Sequence, residues 1–185
     1  LISDIYKDHK ETLEQFHIGH TNFYTTHSNE NRELSELIFK RLQEKNLIEN
    51  KVIKQLYDKE KEIFLSDRYV KGSCPKCKAI DQYGDNCEVC SATYEATDLV
   101  KPISVLSNST PEIRDSEHLF FKLSDLKGSI KTWIESSSIQ PQVINKLSEW
   151  LDGELRDWDI SRDAPYFGFS IPGYKNKYFY VWLDA

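Results

Sequence analysis

The four cysteines of this chain, Cys74, Cys77, Cys87 and Cys90, fall in the pattern Cys-x2-Cys-x9-Cys-x2-Cys. No other feature restricts the local fold so tightly. Two Cys-x2-Cys pairs joined by a short loop can turn as two knuckles and bring four thiolates to the corners of a tetrahedron. Gly72 ahead of the first pair and Gly84 between the pairs suit such turns. Zn²⁺ takes four sulfur ligands at about 2.3 Å in closed structural sites of this kind. Four protein ligands leave no position for water or substrate, so the metal would hold structure and do no chemistry. Disulfides fit poorly, because four cysteines in 185 residues are too sparse for a small cross-linked secreted scaffold. A redox Cys-x2-Cys usually comes once, after a strand, and not as two knuckles on one loop. The chemistry of the protein must come from elsewhere in the chain.

With 39% hydrophobic residues over 185 positions, the chain can bury one core, or one core plus a satellite around the knuckle. No apolar run is long enough to span a bilayer, and the opening LISDIYKDHK is charged too early for an export signal. No membrane partner and a cytoplasmic location are therefore expected. The formal net charge is −6, and four thiolates around one Zn²⁺ would make it more acidic still. Such a chain is no bulk binder of DNA or other nucleic acid, which needs a local basic surface. One candidate surface exists in Arg68, Lys71, Lys76 and Lys78, a stretch without acids up to Ile80. It is either a contact surface or an offset for the thiolate charge. The chain has no methionine, opens inside a helical pattern and stops at Asp184-Ala185 after an apolar run. It reads as a piece of a longer protein.

Periodicity sketches the rest. Ile2, Ile5, Tyr6, His9, Leu13 and Phe16 predict one helix, and residues 17–27 an irregular stretch. Ser28 predicts the cap of a second helix with a buried stripe of Leu34, Leu37, Ile38 and Leu42, failing near Asn46. Strands are expected at Val52–Tyr57, around a turn at Asp58–Glu62, at Ile103–Leu106 and at His118–Leu123. A helix opened by Ser124 and Asp125 should carry Leu126, Ile130, Trp133 and Ile134. Another should start at Pro141, bury Val143, Ile144, Leu147, Trp150 and Leu151, and stop at Gly153. The end returns to strands at Tyr166–Ile171 and Tyr178–Leu183; the latter is apolar on both faces, as suits the interior of a parallel sheet. The expected class is α+β: short, mostly antiparallel strands bearing a zinc knuckle, flanked by helices and inserted in a parallel α/β nucleotide-binding fold lying mostly outside these residues. The expected divisions are a helical flank over 1–46, a knuckle-bearing domain over 47–160 with the knuckle at 72–93, and a return segment over 161–185.

His17-Ile18-Gly19-His20 spells HIGH, the ATP-binding signature of class I aminoacyl-tRNA synthetases. That signature works at the N-terminus of a helix following the first strand of a nucleotide-binding fold, where its histidines reach the phosphates. Here the preceding sixteen residues have helical spacing and no strand. The tetrad is therefore expected to be accidental.

Longer segments do carry a resemblance to that class. Thr26-His27-Ser28-Asn29-Glu30-Asn31, Leu65-Ser66-Asp67-Arg68-Tyr69-Val70-Lys71-Gly72, Asp81-Gln82-Tyr83-Gly84-Asp85-Asn86-Cys87-Glu88-Val89-Cys90 and Arg114-Asp115-Ser116-Glu117-His118 look like the connective region of the methionyl-tRNA synthetase family. Trp158-Asp159-Ile160-Ser161-Arg162-Asp163-Ala164-Pro165-Tyr166-Phe167-Gly168 and Tyr178-Phe179-Tyr180-Val181-Trp182-Leu183-Asp184-Ala185 continue the match in the same order. The resemblance covers nearly the whole chain and best fits the bacterial branch with a single zinc. It implies that the four cysteines are zinc ligands and that Trp182 and Ala185 line a methionine side-chain pocket. It also implies that Arg162 stands at the active-site edge in a supporting catalytic role. The parent would be a ligase of translation that makes methionyl-adenylate from L-methionine and ATP, with Mg²⁺, and transfers the methionyl group to tRNA(Met). The family's own HIGH motif, KMSKS loop and anticodon-binding helices would lie outside these residues, so this region alone should be inactive.

Blander alternatives stand beside the resemblance. Without it, Trp182 in an apolar run would be a core residue, and Arg162 between Asp159 and Asp163 a local ion pair. His27 and His118 lack ligand spacing to the cysteines, and Lys59-Glu60-Lys61-Glu62 is a solvated turn. A free-standing zinc-knuckle module binding RNA or protein is the alternative of a different class, and the apolar carboxyl end argues against it. A hydrolytic editing domain would need a larger insertion.

Overall fold

The computed structural model describes residues 1–153 and 155–184. Two helices open the chain: α1 (Ile2–Gln15) and α2 (Asn29–Glu44). Ser28 caps α2 as its sequence predicts, its hydroxyl accepting the Asn31 N–H at 3.2 Å. The buried side of α2 differs from the predicted one. Phe39 and Ser35 face the core, whereas Leu34, Leu37 and Ile38 are exposed. At 100° per residue the two sets lie about a third of a turn apart, so α2 carries apolar residues on two faces and only one meets the sheet. Periodicity alone could not tell which.

The main sheet is antiparallel throughout, in the order β2-β1-β6-β7, with β1 Ile48–Asp58, β2 Ile63–Phe64, β6 Glu112–Phe121 and β7 Trp158–Asp159. The β1–β6 ladder runs unbroken in register from Ile48↔Phe121 to Tyr57↔Glu112. It is longer than either strand predicted. Ser116 is the one buried residue of the amino-terminal half of β6, Glu112–Ser116, so this half lacks the apolar alternation that would reveal it.

A second sheet, β4-β3-β5, holds β3 Val70–Ser73, β4 Gln82–Tyr83 and β5 Val100–Ser104, three residues earlier than the predicted strand at 103–106. Ser104 ends β5 because its hydroxyl turns to the buried Asp58, donating at 2.5 Å, while Ser107 donates at 2.6 Å to the same oxygen. Gly84 seals this sheet against the next turn. A Cβ there would fall 2.9 Å from both Ala96 Cβ and Val70 Cγ1, so no larger residue fits without displacement.

The third unit begins with α3 (Lys127–Ser136) and α4 (Pro141–Asp152), the latter with Pro141 in its first turn and Gly153 at its C-cap, as predicted. Of their predicted apolar faces only Ile134 and Leu151 are buried; Trp133, Val143 and Trp150 are exposed. A two-stranded antiparallel sheet follows, β8 (Ser161–Asp163) with β9 (Lys177–Phe179), and then the single turn α5 (Val181–Asp184). The predicted strand at 166–171 is irregular, with one bridge from Ser170 to Tyr178. The predicted strand at 178–183 stops at Phe179 and becomes helical, the Leu183 N–H reaching the Tyr180 carbonyl at 2.8 Å. An apolar run of six residues carries no period that separates a strand from a helical turn. Among the described residues every strand pair is antiparallel.

Three apolar clusters follow from this order. Phe39, Leu119, Ile160, Phe169, Ile171 and Phe179 tie α2, β6 and the carboxyl-terminal segment together. Cutting such a buried phenylalanine to alanine costs about 3–5 kcal/mol. Leu56, Leu65, Val70 and Leu99 join the first two sheets. Cys74, Cys87 and Ala92 form the third, with Tyr94 packed against both the second and the third. The whole is mixed α+β with antiparallel sheets, as predicted. No helix among the described residues is long and apolar enough to cross a membrane.

Candidate metal centre and substrate cleft

The two cysteine pairs sit on two near-identical turns. The Cys74 N–H donates to the Ala79 carbonyl at 2.9 Å and the Cys87 N–H to that of Ala92 at 2.8 Å. The Cys77 and Cys90 amides point at the Cys74 and Cys87 sulfurs, at 3.5 and 3.4 Å. Each turn closes through a residue of positive φ, Lys78 at 65° and Ser91 at 56°. The repeat of one geometry brings the four Sγ atoms within 4.8 Å of one another, with Cys74–Cys90 at 3.9 Å and Cys77–Cys87 at 3.6 Å. Four sulfurs at about 2.3 Å from one ion lie about 3.8 Å apart, so this donor set could hold a metal ion. All four cysteines are free of disulfides. Burial pushes the Cys74 thiol up, yet the amides of Cys77 and Lys76 outweigh it and bring it to about 6. The Ala79 amide lowers Cys77, but burial and the neighbouring sulfurs push it up to about 12. Four thiols this close cannot all ionise without a cation among them.

The basic stretch beside the knuckle is partly neutralised. Lys71 pairs with Asp81 at 2.9 Å, Arg68 lies 4.0 Å from Asp85, and both cations sit over the Tyr83 ring.

A cleft of about 930 Å³ separates the knuckle side of the molecule from the carboxyl-terminal segment. One wall carries Asp67, Arg68, Asp85, Tyr94 and Glu95; the other carries Asp159, Arg162, Tyr166, Phe167, Tyr180 and Trp182. Tyr94 links this wall to the metal turns, its hydroxyl donating to the Asn86 carbonyl at 2.8 Å and packing the ring against the sulfur cluster. Burial and Asp85 together raise the Asp67 carboxyl.

Arg162 is neither a free surface cation nor a simple ion pair. It is about a quarter exposed, its Nη1 lies 3.3 Å from Asp159 Oδ2 and donates to the Ser161 carbonyl at 2.6 Å, and its guanidinium covers the Tyr180 ring at 3.9 Å. Asp163 turns away from it, to Lys177 at 2.5 Å, Ser116 at 2.7 Å and His118 at 3.0 Å. Burial raises Asp163, but these three partners overcome it and hold the carboxyl at about 2. Trp182 is 72% exposed, which removes it from the core of the described chain, and it also lines a smaller recess with Trp158 and Tyr180. Ala185 lies outside the described residues. In the sequence Lys177 and Tyr180 have no site role, and His118 stands only as a candidate metal ligand, which its spacing to the cysteines excludes. The signal for them is an excess of acid: Asp157, Asp159 and Asp163 crowd one short segment, so cations must reach it from other strands.

His17 and His20 take no part in this cleft. They follow the carboxyl end of α1, exposed, with His17 at φ 55° and His20 packed 5.2 Å from the Phe23 ring. Neither opens a helix, as the sequence context predicts.

Residues 1–185 match the model of the tRNA synthetases class I (M) family, so the chain belongs to that family. The fold is similar to that of Mycobacterium tuberculosis methionyl-tRNA synthetase in complex with methionyl-adenylate, with a TM-score of 0.58 and 16% identity over 95% of this chain. A second structure of that enzyme, bound by methionyl-adenylate, gives 0.58 and 18% over 98%; its apo form gives 0.55 and 18% over 98%. The chain spans 30%, 31% and 32% of the length of these three structures.

Proposed function

We propose that the chain is the zinc-bearing connective region of a methionine-tRNA ligase, together with short catalytic-domain segments at either end. The observation that carries this reading is the cleft itself. One wall is tied to a four-sulfur cluster, the other presents Arg162, Tyr180 and Trp182, and the family match runs through both. In this reading residues 1–46 flank the catalytic fold, 47–160 form the connective domain, and 161–185 return to the catalytic fold. Cys74, Cys77, Cys87 and Cys90 would hold Zn²⁺, which supplies cross-linking and no reaction chemistry, because four thiolates close its coordination. Zinc would thus set the position of the Tyr94 wall. Trp182 and Ala185 would line the methionine side-chain pocket, and Arg162 would orient polar groups at its edge. The connective sheet would cover the active site and guide the acceptor end of tRNA(Met). ATP and Mg²⁺ would be bound chiefly by residues beyond this region, in a cytoplasmic enzyme of translation.

Methionine-dependent ATP–pyrophosphate exchange by the full-length protein carrying this chain tests the reading. Exchange with methionine well above that with other amino acids is expected. Absence of methionine-dependent exchange, or equal exchange with another amino acid, overturns it.

A further inference from the structure

His118 has no role in the sequence reading, yet both of its ring nitrogens are engaged at the cleft. It stands on β6 and its side chain is 0% exposed. Nδ1 lies 2.7 Å from Asp159 Oδ2, and Nε2 lies 3.0 Å from Asp163 Oδ2 and 3.1 Å from Gln55 Oε1. Both nitrogens therefore face acceptors, and only the doubly protonated ring donates from both. A neutral ring would set a lone pair against a carboxylate where little water can reach, at the cost of an unmet buried group. Burial opposes the charge, and the two carboxylates outweigh it and raise the imidazole above its ordinary value. The groups facing the ring are Gln55 on β1, Asp159 on β7, Asp163 on β8 and Lys177 on β9. Lys177 opposes the imidazolium, but it is held on the far oxygen of Asp163, Oδ1.

The two carboxylates stand on either side of Arg162 in sequence, and Asp159 Oδ2 is shared between His118 and the Arg162 guanidinium. We propose that His118, as an imidazolium, is the positioning residue for Arg162. It clamps Asp159 and Asp163 to the long β1–β6 ladder, and so fixes the guanidinium across Tyr180 at the cleft wall. The role in catalysis, though not the clamp, rests on the function proposed above. A buried pair with one partner removed leaves an uncompensated charge, so loss of the imidazolium should free Asp159 to move and take Arg162 with it.

Two measurements decide this. In the ¹⁵N-labelled chain, one imidazole should keep both N–H protons to a higher pH than the exposed histidines do, and His118→Gln should abolish that signal. The Arg162 side-chain resonance should show a ring-current shift from Tyr180. That shift should disappear in His118→Gln, and in the wild-type chain should disappear with the same pH midpoint as the imidazolium. A His118 that loses its second proton no later than the exposed histidines, or an Arg162 signal unmoved by its titration, overturns the clamp without any enzyme assay. In the full-length enzyme, His118→Gln and Arg162→Gln should each slow exchange by about tenfold or more, and the double variant should be no slower than Arg162→Gln alone. Multiplying losses would overturn the coupling. Absence of exchange in the wild type would instead reject the proposed ligase and leave the clamp to the spectra.

Discussion

The Arg162 guanidinium lies 3.9 Å from the centre of the Tyr180 ring, and the same ring meets Trp158 edge-on at 6.3 Å and 75°. Tyr180 therefore separates a charged side of the cleft from an aromatic recess. Its backbone is fixed by donation to the Ile160 carbonyl at 2.9 Å, so the separation is built from β7–β8 and not from a loose loop. Stacking of this kind contributes about 0.5–2 kcal/mol, enough to hold a guanidinium in one orientation.

Trp182, on the recess side, separates a packing role from a binding one. A buried tryptophan cut to alanine would cost about 3–5 kcal/mol. Trp182 is exposed in this chain, so Trp182→Ala should shift its urea midpoint little. In the full-length enzyme the same change should raise the KM for methionine and blur discrimination against smaller side chains, since the thioether loses its aromatic contact. Steady-state kinetics with methionine and norvaline provide the check; an unchanged KM counts against a pocket role.

One zinc per chain is expected by elemental analysis, with sulfur-only coordination by X-ray absorption. Chelation or Cys74→Ser should loosen residues 74–92 and the Tyr94 contact while the β1–β6 ladder keeps its slow amide exchange. Purified chain without zinc, or a Cys74–Cys77 disulfide, would exclude the site.

Asp58 should make the chain acid-sensitive. Burial raises its carboxyl, but Ser104, Ser107 and the amides of Lys61 and Glu60 together bring it down to about 2. A carboxyl lowered from its unfolded value of 3.8 stabilises the fold above that pH. The contribution fades as pH falls from there through about 2. Urea unfolding at pH 7 should find Asp58→Asn clearly less stable than wild type, and at pH 2.5 the gap should narrow. An equal gap at both would mean that Asp58 acts by shape alone.

The HIGH tetrad gives a direct negative expectation. Changing both His17 and His20 to alanine should leave exchange by the full-length enzyme within a few-fold of normal. A thousandfold loss, about 4 kcal/mol of transition-state stabilisation, would return the tetrad to the ATP site.

What the sequence revealed depended on whether a signal was local. The cysteine spacing, the Ser28 cap, Pro141 at a helix start and the lack of a helix opening at His17–His20 are short-range features, and the structure agrees with them. The buried face of α2 was misread because its apolar residues cover two faces and only a long-range partner, the Phe179 side of the core, selects Phe39. The first half of β6, ahead of the strand expected from His118, is hidden because its one inward residue, Ser116, is polar and turns to Asp163, a partner more than forty residues away. Arg162 was legible as a residue beside acids; its ring partner Tyr180 and the division of labour between the two aspartates were not.

The unbroken β1–β6 ladder has a consequence for how such a chain can vary. Asp58 and Glu112, the ends at which the knuckle segment departs and re-enters, lie at neighbouring points on one pair of strands. Everything between them, the second sheet and both cysteine turns included, hangs from that single doorway. A lineage could lengthen, shorten or discard this appendage and close the gap with a tight turn, and the strands carrying His118 toward Arg162 would keep their register.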